Sequence, residues 1–194
     1  MAGTETEYWD SCVFLALLKD ELLREGESAY LETQALRFDL GQLNLVTSSI
    51  TLTEILACKM TPQQLQRFKV ITARSNFQFI DANARVCELA SEIRSYYIEN
   101  PPTREHGVKT LKLMTPDAIH VASAIAAQMA SKQAIKLLTL DSEDKPGRSE
   151  MAMTRLNGLV ANKYRLSVGR PDLAHQQPSL ALVGGKTGRE VGNG

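Results

Sequence analysis

Apolar positions along the chain fall into short runs whose spacing switches between strand-like and helix-like. Glu7–Trp9 reads as the end of a strand with a turn at Asp10-Ser11. Cys12-Val13-Phe14-Leu15-Ala16-Leu17-Leu18 then starts a helix that runs into a charged segment, Lys19–Glu27. Ser28–Gln42 predicts a second, extra helix, followed by a strand over Leu43–Ile50. Ser49 or Thr51 caps the next helix, which carries Leu52, Ile55, Leu56 and Met60 with Glu54 in its first turn. Thr61-Pro62 restarts a helix through Phe68 and Ile71, because the fixed φ of proline suits the first helical position. Phe77–Ile80 predicts a third strand, and Asp81 caps a long helix that Asn100-Pro101-Pro102 ends. Thr115-Pro116-Asp117 opens another helix, Ile135–Leu140 is a strand ending at Asp141, a helix lies near Ser149–Val160, and Tyr164–Val168 is an edge strand.

Strands alternating with helices call for an α/β fold: a doubly wound, mostly parallel sheet flanked by helices. A length of 194 residues suits a single domain. Residues 1–168 are assigned to that domain and 169–194 to a flexible tail. The tail carries Pro171, Pro178 and five glycines from Gly184 onward, too little apolar surface to offset its ordering entropy.

Composition narrows the function classes. With 43% hydrophobic and 23% charged residues the chain is an ordinary soluble globular one. Lys plus Arg equals Asp plus Glu at 22 each, so no net field advertises a polyanionic partner. The balance is local: eight acids against Lys19 and Arg24 in residues 1–32, and Lys59, Arg67, Lys69, Arg74 and Arg85 against Asp81 in 59–85. Cys12, Cys58 and Cys87 form no C-x-x-C pair and read as reduced thiols of a cytoplasmic protein. Neither an export signal nor a stretch approaching ~18 apolar residues is present, so a membrane location is not expected.

In a doubly wound sheet, ligands collect at the carboxyl ends of the strands, where the strand order switches. Four acids qualify: Asp10 after the first strand, Glu54 in the helix after the second, Asp117 opening the helix before the fourth, and Asp141 after the fourth. Taken singly, each is explained by helix capping or a turn. Taken together, four converging carboxylates cannot all stay ionised without a cation, because like charges raise one another's pKa. All-oxygen ligands suit Mg²⁺ or Mn²⁺.

Tyr8-Trp9-Asp10-Ser11-Cys12-Val13, Ser48-Ser49-Ile50-Thr51-Leu52-Thr53-Glu54-Ile55-Leu56, Thr115-Pro116-Asp117-Ala118-Ile119-His120-Val121-Ala122-Ser123-Ala124 and Leu138-Thr139-Leu140-Asp141 resemble, in order, the four acidic motifs of PIN-domain proteins. The Asp-Ala-Ile-His-x-Ala block is closest to VapC-type toxins. The likeness spans roughly residues 7–168. It implies an Mg²⁺- or Mn²⁺-dependent endoribonuclease with Asp10, Glu54, Asp117 and Asp141 as catalytic metal ligands and Thr139 hydrogen-bonding an acid or a metal-bound water. It further implies an RNA substrate, an antitoxin partner and a homodimer. Lys59, Arg67, Arg74, Arg85, Lys145 and Arg148 are candidates to steer RNA phosphates. Cys12 departs from the pattern, standing where the family often has Asn or Ser, and the Ser28–Gln42 helix and the tail exceed what a minimal toxin needs. The competing expectation is a PIN-like module that binds RNA or assembles without catalysis.

Other signals are set aside. His120, on an apolar helix, reads as a satisfied core histidine and receives no role. Gly184-Gly185-Lys186-Thr187 has Leu180 where a phosphate loop requires its first glycine. A phosphorylation receiver would need paired acids at Asp10-Ser11 and a lysine after the last strand, and a two-aspartate phosphatase is excluded by Cys12.

Overall fold

The computed structural model describes residues 4–21, 23–24, 26–101, 111–143, 150–156 and 158–171. Five strands, β1 (Glu5–Trp9), β2 (Leu43–Ser48), β3 (Phe77–Ile80), β4 (Lys136–Leu138) and β5 (Ser167–Gly169), form one sheet in the order β3-β2-β1-β4-β5, and every neighbouring pair is parallel. The order reverses between β1 and β4, which is where such a sheet leaves a crevice at its carboxyl edge.

Helices α1 (Ser11–Lys19), α2 (Glu27–Asp39), α3 (Ile50–Ala57), α4 (Pro62–Thr72), α5 (Ala84–Glu99) and α6 (Thr115–Ser131) cover both faces. Strand alternation decides which face each residue feeds. Tyr8, Val46 and Leu137 join α5 and α6 in one core, with Ile93, Tyr97, Val121 and Ile125. Trp9, Leu45 and Leu138 join the other, with Phe14, Tyr30, Ile55 and Phe68 of α1 to α4. Being covered on both sides, β1 is buried at every residue after Glu5. No helix among the described residues is long and apolar enough to cross a membrane.

Local details differ from the sequence expectation in five places. Glu54, expected in the first turn of its helix, lies in the second turn of α3. Asn83, not Asp81, caps α5, its Oδ1 accepting from Val86 N at 3.1 Å. Ser49 stands at the start of α3 but its hydroxyl is taken by Ala82 N at 3.0 Å, tying the β2 and β3 ends together. The expected helix near Ser149–Val160 is a single 3-10 turn (Met153–Arg155) and a π-helical turn (Leu159–Lys163), with Ser149 outside the described residues. Gly158, at φ 64°, separates the two turns, and its left-handed backbone cannot continue a helix. A Cβ added there would sit 2.7 Å from the Tyr96 hydroxyl. Gly158→Ala should therefore destabilise the fold by about 1–3 kcal/mol, seen as a lower urea midpoint. Finally, Gly169 lies in β5 and Arg170 packs against the domain, so order extends past residue 168, while 172–194 lie outside the described residues.

Candidate metal centre

β1 delivers Asp10 to the crevice, where it caps α1 and its Oδ1 accepts from Ser11 N at 2.6 Å. Its Oδ2 accepts from Cys12 Sγ at 2.9 Å and from Thr139 Oγ1 at 3.0 Å. Asp10 is 5% exposed, yet nearly every lone pair has a donor. Cys12 thus supplies the hydrogen bond that a small polar residue would otherwise give. Burial and the Asp10 charge push its thiol well above the ordinary value, keeping it an S–H donor. Thr139, fully buried, also accepts from Asp141 N at 3.0 Å, so one hydroxyl links the first and last acidic segments.

From α3, Glu54 reaches the same point with its side chain 29% exposed. Between the two acids stands His120 of α6, 1% exposed. Its Nε2 is 2.8 Å from Glu54 Oε2 and 3.2 Å from Asp10 Oδ1, and its Nδ1 is 2.8 Å from the Tyr8 hydroxyl. One ligand atom from each of Asp10, Glu54 and His120 lies within 4.8 Å of the others. Burial alone would lower the imidazole pKa, but the Asp10 charge, the Glu54 hydrogen bond and the charges of Glu54 and Asp117 outweigh it and raise it. Among the described residues no lysine or arginine pairs with Asp10 or Glu54.

The remaining two acids sit differently. Asp117, half-buried in the first turn of α6, is one turn before His120, and its charge is felt there. Asp141, half-buried, has Oδ2 accepting from Met153 N at 3.2 Å. Neither belongs to the group within 4.8 Å. Of the four acids expected from the sequence, the structure brings Asp10 and Glu54 together, with His120 between them. Asp117 and His120, three residues apart, share one face of α6.

The donor chemistry fits a divalent cation. Asp10 Oδ1, Glu54 Oε2 and His120 Nε2 would hold it, provided His120 offers its Nε2 lone pair while Nδ1–H donates to the Tyr8 oxygen. Of the candidate phosphate-steering residues, Arg67 pairs with Asp20 at 3.3 Å and Arg74 with Asp39 at 2.8 Å, and Arg85 lines a groove beside β3 with Asp81. Lys145 and Arg148 lie outside the described residues.

A solved structure shares this architecture. VapBC2 from Rickettsia felis, bound to a DNA fragment from its promoter, matches with a TM-score of 0.50 at 14% identity, covering 86% of this chain and 99% of that one. VapBC-5 from Mycobacterium tuberculosis (TM-score 0.42, 14% identity, 85% and 98% covered) and a toxin-antitoxin complex from Klebsiella pneumoniae (0.44, 22%, 76% and 97%) are more distant in shape. No curated protein sequence matches the chain. The PIN domain family model matches residues 8–143, a span that runs from Tyr8 beneath His120 through all four acids. With that match covering well over half of its length, the chain belongs to the PIN-domain family.

Proposed function

We propose that this chain is a divalent-metal-dependent endoribonuclease, using Mg²⁺ or Mn²⁺ to hydrolyse RNA phosphodiester bonds, and the toxin of a toxin-antitoxin pair. The observation that carries the reading is the meeting of Asp10, Glu54 and His120 at the switch point of the sheet, from three separate elements. Asp117 and Asp141 complete the acidic rim, and Thr139 orients Asp10. The antitoxin partner follows from the resemblance to VapC-type toxins and from the fold shared with VapBC2, and the homodimer from that resemblance alone.

A divalent cation here would supply Lewis acidity and an activated water. The protein's own part is orientation and charge. Ser11, Cys12 and Thr139 fix Asp10 so that Oδ1 faces Glu54 and His120. Partly exposed Glu54 opens the site to substrate. His120, held through Nδ1 by the Tyr8 hydroxyl, sets its Nε2 within reach of both carboxylates and so fixes their separation.

One observation favours a second reading, a non-catalytic PIN-like RNA-binding or assembly module: His120 Nε2 already engages both acids, hydrogen-bonding Glu54 and lying at ion-pair distance from Asp10. Calorimetry separates the two. A nuclease shows a carboxylate-dependent Mn²⁺ or Mg²⁺ site, and its cleavage of structured RNAs stops with EDTA and returns with excess Mn²⁺. Cleavage that persists in EDTA, or no metal heat in the wild type, overturns the nuclease reading.

A further inference from the structure

The extra helix α2 and the residues after β5 meet at one point, next to the acidic rim. Arg170, the first residue after β5, forks onto Glu27, the first residue of α2: Nη2 lies 2.9 Å from Oε2, and Nε donates to Oε1. The same guanidinium has a second engagement. Its Nη1 donates to Leu140 O at 2.9 Å and to Ser142 Oγ, the residues on either side of Asp141. Gly169 adds a backbone grip, its carbonyl accepting from Thr139 N at 3.0 Å.

These contacts lead on to Asp10. Leu140 N donates to Cys12 Sγ at 3.1 Å, and Cys12 donates to Asp10 Oδ2. Thr139 donates to the same oxygen. Two hydrogen-bonded routes therefore run from the Gly169-Arg170 end of the chain to Asp10, and both pass through the segment that carries Asp141. Glu27 is 7% exposed at its side chain and Arg170 21%, so water competes little for the fork. Burial pushes the Glu27 carboxyl up, and Arg170 together with Arg24 more than offsets this, holding it below the ordinary range.

We propose that Arg170, anchored by Glu27, is a positioning residue for the metal centre, setting the Thr139–Ser142 segment and through it the aim of Asp10 and Asp141. This rests on the metal-site reading above. The additional helix and Gly169-Arg170 thereby act together, bracing one rim of the site from outside.

The test uses the full chain and four proteins: wild type, Arg170→Gln, Arg170→Lys and Glu27→Gln. Amide hydrogen exchange across 139–142, Mn²⁺ affinity by electron paramagnetic resonance, and kcat and KM on a structured RNA are measured on each. Arg170→Gln is expected to speed exchange across 139–142 and to weaken Mn²⁺ binding about 10- to 100-fold, the usual effect of losing an outer support of a metal site. kcat falls while KM for RNA holds. Arg170→Lys restores part of the affinity, and Glu27→Gln shifts it in the same direction as Arg170→Gln but less.

Where Arg170→Gln fails to fold, Ser142→Ala decides, because it removes one acceptor of the guanidinium and leaves the fork on Glu27 intact; a loss of about threefold in affinity is expected. Faster exchange with unchanged Mn²⁺ affinity makes Arg170 a mere structural peg and overturns the proposal, as does unchanged exchange. A wild type that binds Mn²⁺ but leaves RNA intact sinks the nuclease reading, while the affinity shift still upholds the positioning role. A wild type without any Mn²⁺ site overturns both.

Discussion

Asp10→Asn is expected to reduce Mn²⁺-supported RNA cleavage by about 10³-fold or more, with the protein still folded. Asn keeps an acceptor for Ser11 N, so the cap on α1 survives. At the other atom, an amide can face Cys12 and Thr139 if their hydroxyl and thiol hydrogens rotate away, so the packing is retained. What disappears is the negative charge, and with it half of the carboxylate pair that Glu54 and Asp10 present to one cation. Stability should change little, because the lost charge-assisted hydrogen bonds are offset by relief of the Asp10–Glu54 repulsion. Asp141→Asn is a graded control. The Asp141 carboxylate lies outside the tight group and already accepts from Met153 N, so its loss should lower the rate by only about 10-fold. Single-turnover cleavage with matched denaturation curves measures both. Equal rates in Asp10→Asn and wild type would leave the nuclease reading without a chemical basis.

The approach of Asp10 to Glu54 was legible in the sequence because the doubly wound pattern says where its crevice lies, with Asp10 directly after the first strand and Glu54 on the helix after the second. Phe77–Ile80 and the Thr61-Pro62 start were legible because local chemistry alone specifies them, and the structure adds a reciprocal Gln64 contact to the Thr61 cap. His120 was not. An imidazole on an apolar helix reads as core until the strand carrying Tyr8 and the helix carrying Glu54 are placed against it, and that placement is tertiary. The Cys12 contact was hidden for the same reason: its partners Thr139 and Leu140 lie more than a hundred residues away. The chain after Val168 read as tail because a polar Gly-Arg-Pro run has no period, yet Arg170 draws its order from Glu27, a partner no periodicity exposes.

Glu7 makes the same point with a larger energy. Counted along the chain it is one of eight N-terminal acids of the kind that solvates a surface, but it sits on a strand covered on both faces and is 1% exposed. Its carboxylate accepts from Trp9 Nε1 at 2.9 Å, Tyr30 OH at 2.5 Å and Gln34 Nε2 at 2.6 Å, so one buried acid fastens α2 to the sheet. Glu7→Leu keeps the volume and strands all three donors, and about 3–5 kcal/mol of stability should be lost. Adding Tyr30→Phe and Gln34→Leu removes two of those donors and should return much of the loss, since apolar groups in place of both partners come close to neutral. Burial raises the Glu7 pKa, with the three donors opposing it. A raised folded-state value means that its contribution is full below the unfolded value near 4.5 and declines as pH rises through the folded one. The gap between wild type and the permanently neutral Glu7→Gln should therefore shift against the wild type from pH 4 toward neutrality. Urea denaturation at several pH values reads all three effects, and a Glu7→Leu protein as stable as wild type would mean that the buried network does not hold α2 in place.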